Sequence, residues 1–404
     1  MTKKKALALV VSAFVMFLLM PSCEEAEYQG YNEILEVIAH DAKVDEISHC
    51  GSIIPINDGF VYSKNVNVSE TGECTMEYFS YSLSNNKNKS LGIINNWIYE
   101  ASYDSIYNNG HVYMLIVTDE NAETIDGKTT YLYDIDISNS SMTNFLLGSE
   151  ISPYCSMAIM NEEIFLSCPD TTGCLIYRYD ILSKRMSIEK EYVFDMDKNS
   201  GEVVRHISTD GDNIYLLRLK MNGELNVNLY LDVCDDKLNL IDSINITEYI
   251  SEFVIETEDP SLEIRQLVSN LEINSSYVYY ENFSITRAMF SLYPHINEKS
   301  DNIKGLIKSS PNIWKALTFG KPGNMFVFYE LLTDDIYLYD VETQKLLKCH
   351  FNVNESDYGI SKVMQWGGEI AIFLSPISEK TKEDNYSKVF FTNISNLYEG
   401  VVMK

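Results

Sequence analysis

The chain has 404 residues, 45% of them apolar, with 28 Tyr and 59 acidic against 31 basic side chains, for a formal charge of −28. That apolar content excludes a disordered chain. The charge repels phosphate backbones and anionic lipid, so nucleic-acid binding and electrostatic membrane docking are excluded as expectations. Tyr, Ile, Val and Asn favour strands and turns, and Ala is scarce after residue 14, so an all-β protein is expected.

Residues 1–22 read as a signal peptide. Lys3, Lys4 and Lys5 precede an apolar run from Ala6 to Met20, interrupted only by Ser12. The run is shorter than the ~20 residues of a comfortable membrane helix and suits a signal segment. Pro21-Ser22-Cys23 follows, and the chain then turns acidic at Glu24, Glu25 and Glu27. An apolar run closed by a small residue and Cys resembles the bacterial lipoprotein signal, although Met20 and Pro21 depart from the usual Leu-Ala/Ser pair. The resemblance implies cleavage before Cys23 and acylation of its thiol. It implies an extracytoplasmic protein attached to the bacterial cell membrane only through the lipid on Cys23. Residues 23–47 are then a tether, in which Ile34, Leu35, Val37 and Ile38 have the spacing of a short helix.

Residues 48–404 carry a repeat: an apolar strand, a Gly/Asn/Asp turn, then a strand of alternating Ile, Val, Tyr and Phe. The copies run Ile53–Tyr62, Ile106–Tyr113, Met157–Phe165, Ile207–Tyr215 and Leu271–Tyr279. Two more follow, Leu317–Val327 and Val363–Ala371. Anchored on Phe60, Val112, Ile164, Ile214, Val278, Phe326 and Ile370, the steps by subtraction are 52, 52, 50, 64, 48 and 44 residues. That is the length of a four-stranded propeller blade with variable loops. A second element, such as Tyr131-Leu132-Tyr133-Asp134, Ile176–Asp180 or Ile336–Asp340, recurs later in the copies, with a weaker version at Tyr230-Leu231-Asp232. Its terminal Asp is expected to start a turn by accepting backbone hydrogen bonds, rather than to touch a metal or substrate.

This two-element repeat resembles bacterial propeller lipoproteins and, more loosely, low-density-lipoprotein-receptor-like, WD40-like and quinoprotein-like propellers. The resemblance is one of strand pattern and includes no Trp-Asp dipeptide, Tyr-Trp-Thr-Asp motif or Asp-box. The expected fold is a seven-bladed β-propeller of four-stranded antiparallel blades, although six or eight blades also fit the spacing. The 64-residue step contains an insertion, Glu248–Glu263, expected to be a solvated loop or short helix.

Seven cysteines remain beside Cys23, an odd number. Cys168 and Cys174 flank Pro169-Asp170-Thr171-Thr172-Gly173 at a hairpin tip and are the candidate disulfide. Cys50 with Cys74 comes second. Cys155, Cys234 and Cys349 read as small core residues. The histidines (His40, His49, His111, His206, His295, His350) are scattered without metal-ligand spacing, so no metal is expected. No Gly-x-Ser-x-Gly elbow, phosphate loop or dinucleotide fingerprint occurs, so no catalytic residue or cofactor is assigned. Asp210-Gly211-Asp212-Asn213 lacks the distal Glu of a calcium loop and reads as a turn. Trp97, Trp314 and Trp366 are expected in the core before any sugar-stacking role.

The function expected from these features is a binding or scaffold protein for an envelope protein, a glycan or a peptide. The alternative is a propeller hydrolase or lyase on polysaccharide, using carboxylates or His at the channel mouth.

Overall fold

The computed structural model describes residues 31–33, 44–45, 53–68, 74–100, 105–119, 128–148, 155–169, 173–223 and 227–251. It also describes 268–282, 287–291, 312–319, 325–350, 358–376 and 386–394, with breaks of one or two residues inside some of these ranges. Strands alternate with tight turns throughout, and the one helix among the described residues is a single turn, Thr247–Ser251.

Hydrogen bonding joins the described strands into five sheets, two of them eight-stranded and continuous across two successive hairpin groups, and within them the strands fall into successive, mainly antiparallel units in chain order. The first holds Ile54–Ile56, Gly59–Val68, Cys74–Ser82 and the start of Lys87–Glu100. The second holds Ile106–Asn108, His111–Asp119, Lys128–Asp136 and Ser141–Gly148. Ser156–Met160, Glu163–Pro169, Gly173–Asp180 and Arg185–Asp195 form the third. Ser200–Thr209, Ile214–Asn222, Val227–Cys234 and Leu240–Asn245 form the fourth. The fifth comprises Val268–Asn274, Tyr277–Asn282 and Arg287–Ser291. The sixth comprises Ile313–Lys315, Met325–Glu330, Asp335–Asp340 and Lys345–His350, and the seventh Tyr358–Trp366, Glu369–Pro376 and Tyr386–Asn393.

Period-2 alternation explains why the units stack. In the second strand of unit two, Val112, Met114 and Ile116 enter the apolar cluster shared with unit one, while Tyr113, Leu115 and Val117 enter the cluster shared with unit three. Unit three sends Ile164 and Leu166 back toward unit two and Phe165 forward to unit four. Phe326 and Phe328 of unit six pack with units four and five, while Val327 and Tyr329 pack with unit seven. Unit seven turns Ala371 and Phe373 to unit one, where the Phe373 ring meets Phe60 edge-on at 6.3 Å. Each unit thus covers both neighbours, and the last covers the first. This is the radial packing of a β-propeller. The seven sequence anchors, Phe60 through Ile370, occupy the second strand of their units and are all buried.

The N-terminal segment read as a tether contributes two strands. Tyr31–Glu33 lies parallel to the outer strand of unit six, and Val44–Asp45 lies antiparallel on Tyr386–Asn393, as the fourth strand of unit seven. Pairing chain start with chain end covers a sheet edge that would otherwise expose unpaired backbone groups. The helix expected at residues 34–38 lies outside the described residues, as does most of the Glu248–Glu263 insertion beyond its opening helical turn.

One repeat copy is corrected. Leu317–Phe319 is not the inner strand of unit six, a place taken by Ile313–Lys315. It runs parallel to Tyr358–Trp366 on the inner edge of unit seven. Both segments are short apolar strands before the same hairpin, and only the pairing partner distinguishes them.

Candidate functional site

Four buried or half-buried polar side chains stand on the inner strands of units four to seven, at three successive inter-unit seams. Lys315 ends the inner strand of unit six, and its side chain is fully buried. Its ammonium pairs with Glu272 on the inner strand of unit five and donates to the Ala316 carbonyl at 3.0 Å and to Thr318 Oγ1 at 2.9 Å. The rings of Tyr279 and Phe326 flank it, their centroids 5.5 and 5.6 Å away. Three donors with three oxygens and two aromatic faces make a complete cation site.

Thr318 is in register with Gln365, whose side chain is fully buried. Gln365 Nε2 donates across the seam to the Met325 carbonyl of unit six at 2.9 Å. Two acceptors are left over: Glu272 Oε1 and Gln365 Oε1 are buried without a hydrogen-bond partner among the described residues. On the other face of unit five, Arg205 Nε is a buried donor without a partner. Burial lowers the Arg205 guanidinium from its ordinary value, opposed by the Cys174 and Tyr280 groups.

Irregular backbone places one of these groups, Arg205. Val204 pairs with Arg218 and His206 with Leu217, so Arg205 is the extra residue of a bulge. The inner strands of units five and seven are also irregular, between Val268 and Asn270 and between Ile360 and Lys362. Bulges turn side chains out of the pleat, here on the strands nearest the propeller axis.

The sequence-derived candidates distribute differently. Cys23, the lipidation candidate, lies outside the described residues. Cys168 and Cys174 are not bonded to each other. Cys168 is in register with Leu175 and Cys174 with Pro169, so the two cysteines project from opposite faces of the sheet. Cys168 joins the cluster with unit two, and Cys174 joins the cluster with unit four, its Sγ 3.3 Å from Ser167 Oγ. The expected Cys168–Cys174 bridge is therefore corrected: the one-residue offset of the hairpin separates the pair. Burial pushes the Cys174 thiol up to about 12.

Turn aspartates behave as expected in two units. Asp180 accepts from the amides of Leu182 and Ser183 at 2.9 Å, and Asp340 from Glu342 and Thr343 at 2.9 and 3.2 Å. Asp210 likewise accepts from Asp212 and Asn213, with Tyr215 OH on its other oxygen at 2.7 Å. In unit two the turn belongs to Asp136, which accepts from the Ser138 and Asn139 amides, and in unit four to Asp235. Asp134 instead meets His111 Nδ1 at 2.6 Å, and Asp232 takes Arg218 on both oxygens at 2.6 and 2.9 Å. Trp97 and Trp314 are half-buried against the cores of units one and six, as expected. His206 is buried and held neutral, its pKa pushed down to about 3 by desolvation.

Sequence reasoning passed over Glu272, Gln365, Arg205 and Lys315. The signal was present: Leu271-Glu272-Ile273, Met364-Gln365-Trp366 and Val203-Val204-Arg205 each set one polar residue inside an apolar inner strand. Such a residue is costly to bury and therefore informative.

No family model and no curated protein matches this chain. Solved structures with a similar backbone include the propeller domain of the trilobed protease from Pyrococcus furiosus, at 8% identity and TM-score 0.38, covering 73% of this chain and 81% of that one. A mitotic checkpoint complex chain is similar at 8% identity and TM-score 0.45, covering 89% and 94%. A prolyl endopeptidase is similar at 8% identity and TM-score 0.47, covering 98% of this chain and 53% of that one.

Proposed function

We propose that this chain is a seven-bladed propeller held at the outer face of a bacterial membrane by a lipid on Cys23. In this reading it is a binding protein that takes a hydroxyl-bearing ligand, a glycan foremost, through the inner-strand seam. The observation that carries the binding reading is two buried acceptors without a partner among the described residues, Glu272 Oε1 and Gln365 Oε1, on the first strands of units five and seven, to either side of Lys315. A buried acceptor without a donor calls for a group to complete it, and hydroxyl donors do so without a charge that the acidic surface would attract or repel indiscriminately. Lys315 and Glu272 already neutralise each other, which favours binding over acid–base catalysis.

The anchoring half rests on Lys3 to Cys23. Cells grown with an alkyne-tagged palmitate should label the wild-type chain and leave a Cys23→Ser chain unlabelled and released from the membrane fraction. Equal labelling of the two, or membrane retention of Cys23→Ser, would remove the lipid from the account.

A further inference from the structure

The structure assigns a different cysteine pair from the one the hairpin suggests. Ser156 is in register with Ser167, so the next rung of the same antiparallel ladder sets Cys155 opposite Cys168. Both lie in the cluster between units two and three, so both side chains leave the same face. Both are buried, and their thiols hydrogen-bond each other. Directly opposed residues of an antiparallel pair hold their Cβ atoms ~4.5–5.5 Å apart, close to the separation a disulfide spans. Cys174 is excluded by facing the other way.

We propose that Cys155 and Cys168 form a cross-strand disulfide that clasps the first two strands of unit three. The oxidant is a disulfide, either a small-molecule one or that of a protein thiol oxidase. One cysteine thiolate attacks it, releasing one thiol and leaving a mixed disulfide. The second cysteine then displaces the other thiol, so two protein thiols become one S–S bond and one oxidant disulfide becomes two thiols. The hydrogen bond between the two thiols and burial raise the Cys168 thiol well above its usual range, which makes it a poor nucleophile once folded. Exchange therefore belongs to the folding chain, before the seam with unit two closes. In the cell the bond rests on the proposed export, since cytoplasmic thiols stay reduced.

Two arms separate the pair from the export. The full chain is made by cell-free synthesis in reduced or in oxidised glutathione, and separately recovered from the producing cell. Each sample is alkylated in denaturant, digested without reductant and mapped by mass spectrometry. The expected result is a Cys155–Cys168 linked peptide in oxidised glutathione and in the cell-derived chain. It should be retained in Cys174→Ser and lost in Cys155→Ser and Cys168→Ser. A bridge in oxidised glutathione with free thiols in the cell-derived chain keeps the pair and overturns export. Free thiols in both arms, or a Cys168–Cys174 linkage, overturns the pair.

Discussion

The seam between units three and four and the seams among units five, six and seven do the same mechanical task with opposite chemistry. The first is largely apolar. Phe165 fills it, Ser156 Oγ accepts the Ile207 amide at 2.8 Å, and Ser167 Oγ donates to the Val204 carbonyl at 3.3 Å. The others are polar, with a buried ion pair, a buried amide and two oxygens that have no partner among the described residues. Apolar packing alone holds blades together, so the polar groups at the later seams are not needed for cohesion. A buried ion pair is commonly neutral or unfavourable relative to apolar residues of similar volume. What such a pair contributes is a fixed arrangement of groups, and that is what a ligand site requires.

Breaking either seam should cost about the same, and the repair should differ. Phe165→Ala is expected to lose ~3–5 kcal/mol by cavity formation. Lys315→Met is expected to lose ~3–5 kcal/mol because Glu272 is left charged and buried without its partner. Urea midpoints should then show Lys315→Met largely restored by adding Glu272→Leu. If the double variant is as weak as the single, the pair is a cohesive element and the comparison fails.

His206, on the inner strand of unit four, sharpens the comparison through pH. Its folded pKa lies near 3, below the unfolded value of about 6.5. The unfolded chain binds the extra proton between those values, so the neutral imidazole's contribution is complete above pH ~6.5 and is lost as pH falls toward 3. Stability should decline over that window by something on the order of a few kcal/mol, and His206→Gln should flatten the decline. Parallel slopes for the two proteins would place the acid sensitivity elsewhere.

Smaller effects are expected at the backbone contacts. A Cβ on Gly359 would meet the Leu332 backbone at 2.8 Å, where Leu332 and Ile360 join units six and seven through a 2.8 Å hydrogen bond. Gly359→Ala is expected to cost ~1–3 kcal/mol by forcing those segments apart. Ser156→Ala should cost about 1 kcal/mol, the worth of a buried hydrogen bond whose amide loses its acceptor. Thermal unfolding of both variants checks the order; a larger loss at Ser156 would reverse it.

The repeat was legible because it is a local signal: alternating Ile, Val, Tyr and Phe around a turn fix a hairpin whatever its neighbours. Phe60, Val112 and Ile164 each occupy the position the pattern gives them. Pairing partners are non-local, which is why Leu317–Phe319 was placed in the wrong unit. Register is subtler still. A hairpin shifted by one residue moves every side chain to the other face, and that shift separates Cys168 from Cys174 and presents Cys155 instead. The turn aspartates of units two and four slipped for a related reason. The Tyr-x-Tyr-Asp pattern caught Asp134, two residues before the turn residue Asp136, and the early position is an ion-pair site. Glu272, Gln365 and Lys315 were visible as polar interruptions of apolar strands, but sequence alone does not bring residues 272, 315 and 365 to adjacent seams.

The most direct test of the central claim is a glycan array probed with the wild-type protein and with Gln365→Met, a change of similar volume that removes the inner-strand amide. The account predicts that the wild type binds at least one hydroxyl-rich glycan. It predicts that Gln365→Met loses that binding while unfolding within a few degrees of wild type. Binding left intact by Gln365→Met, or a wild type that binds no glycan on the array, would contradict it.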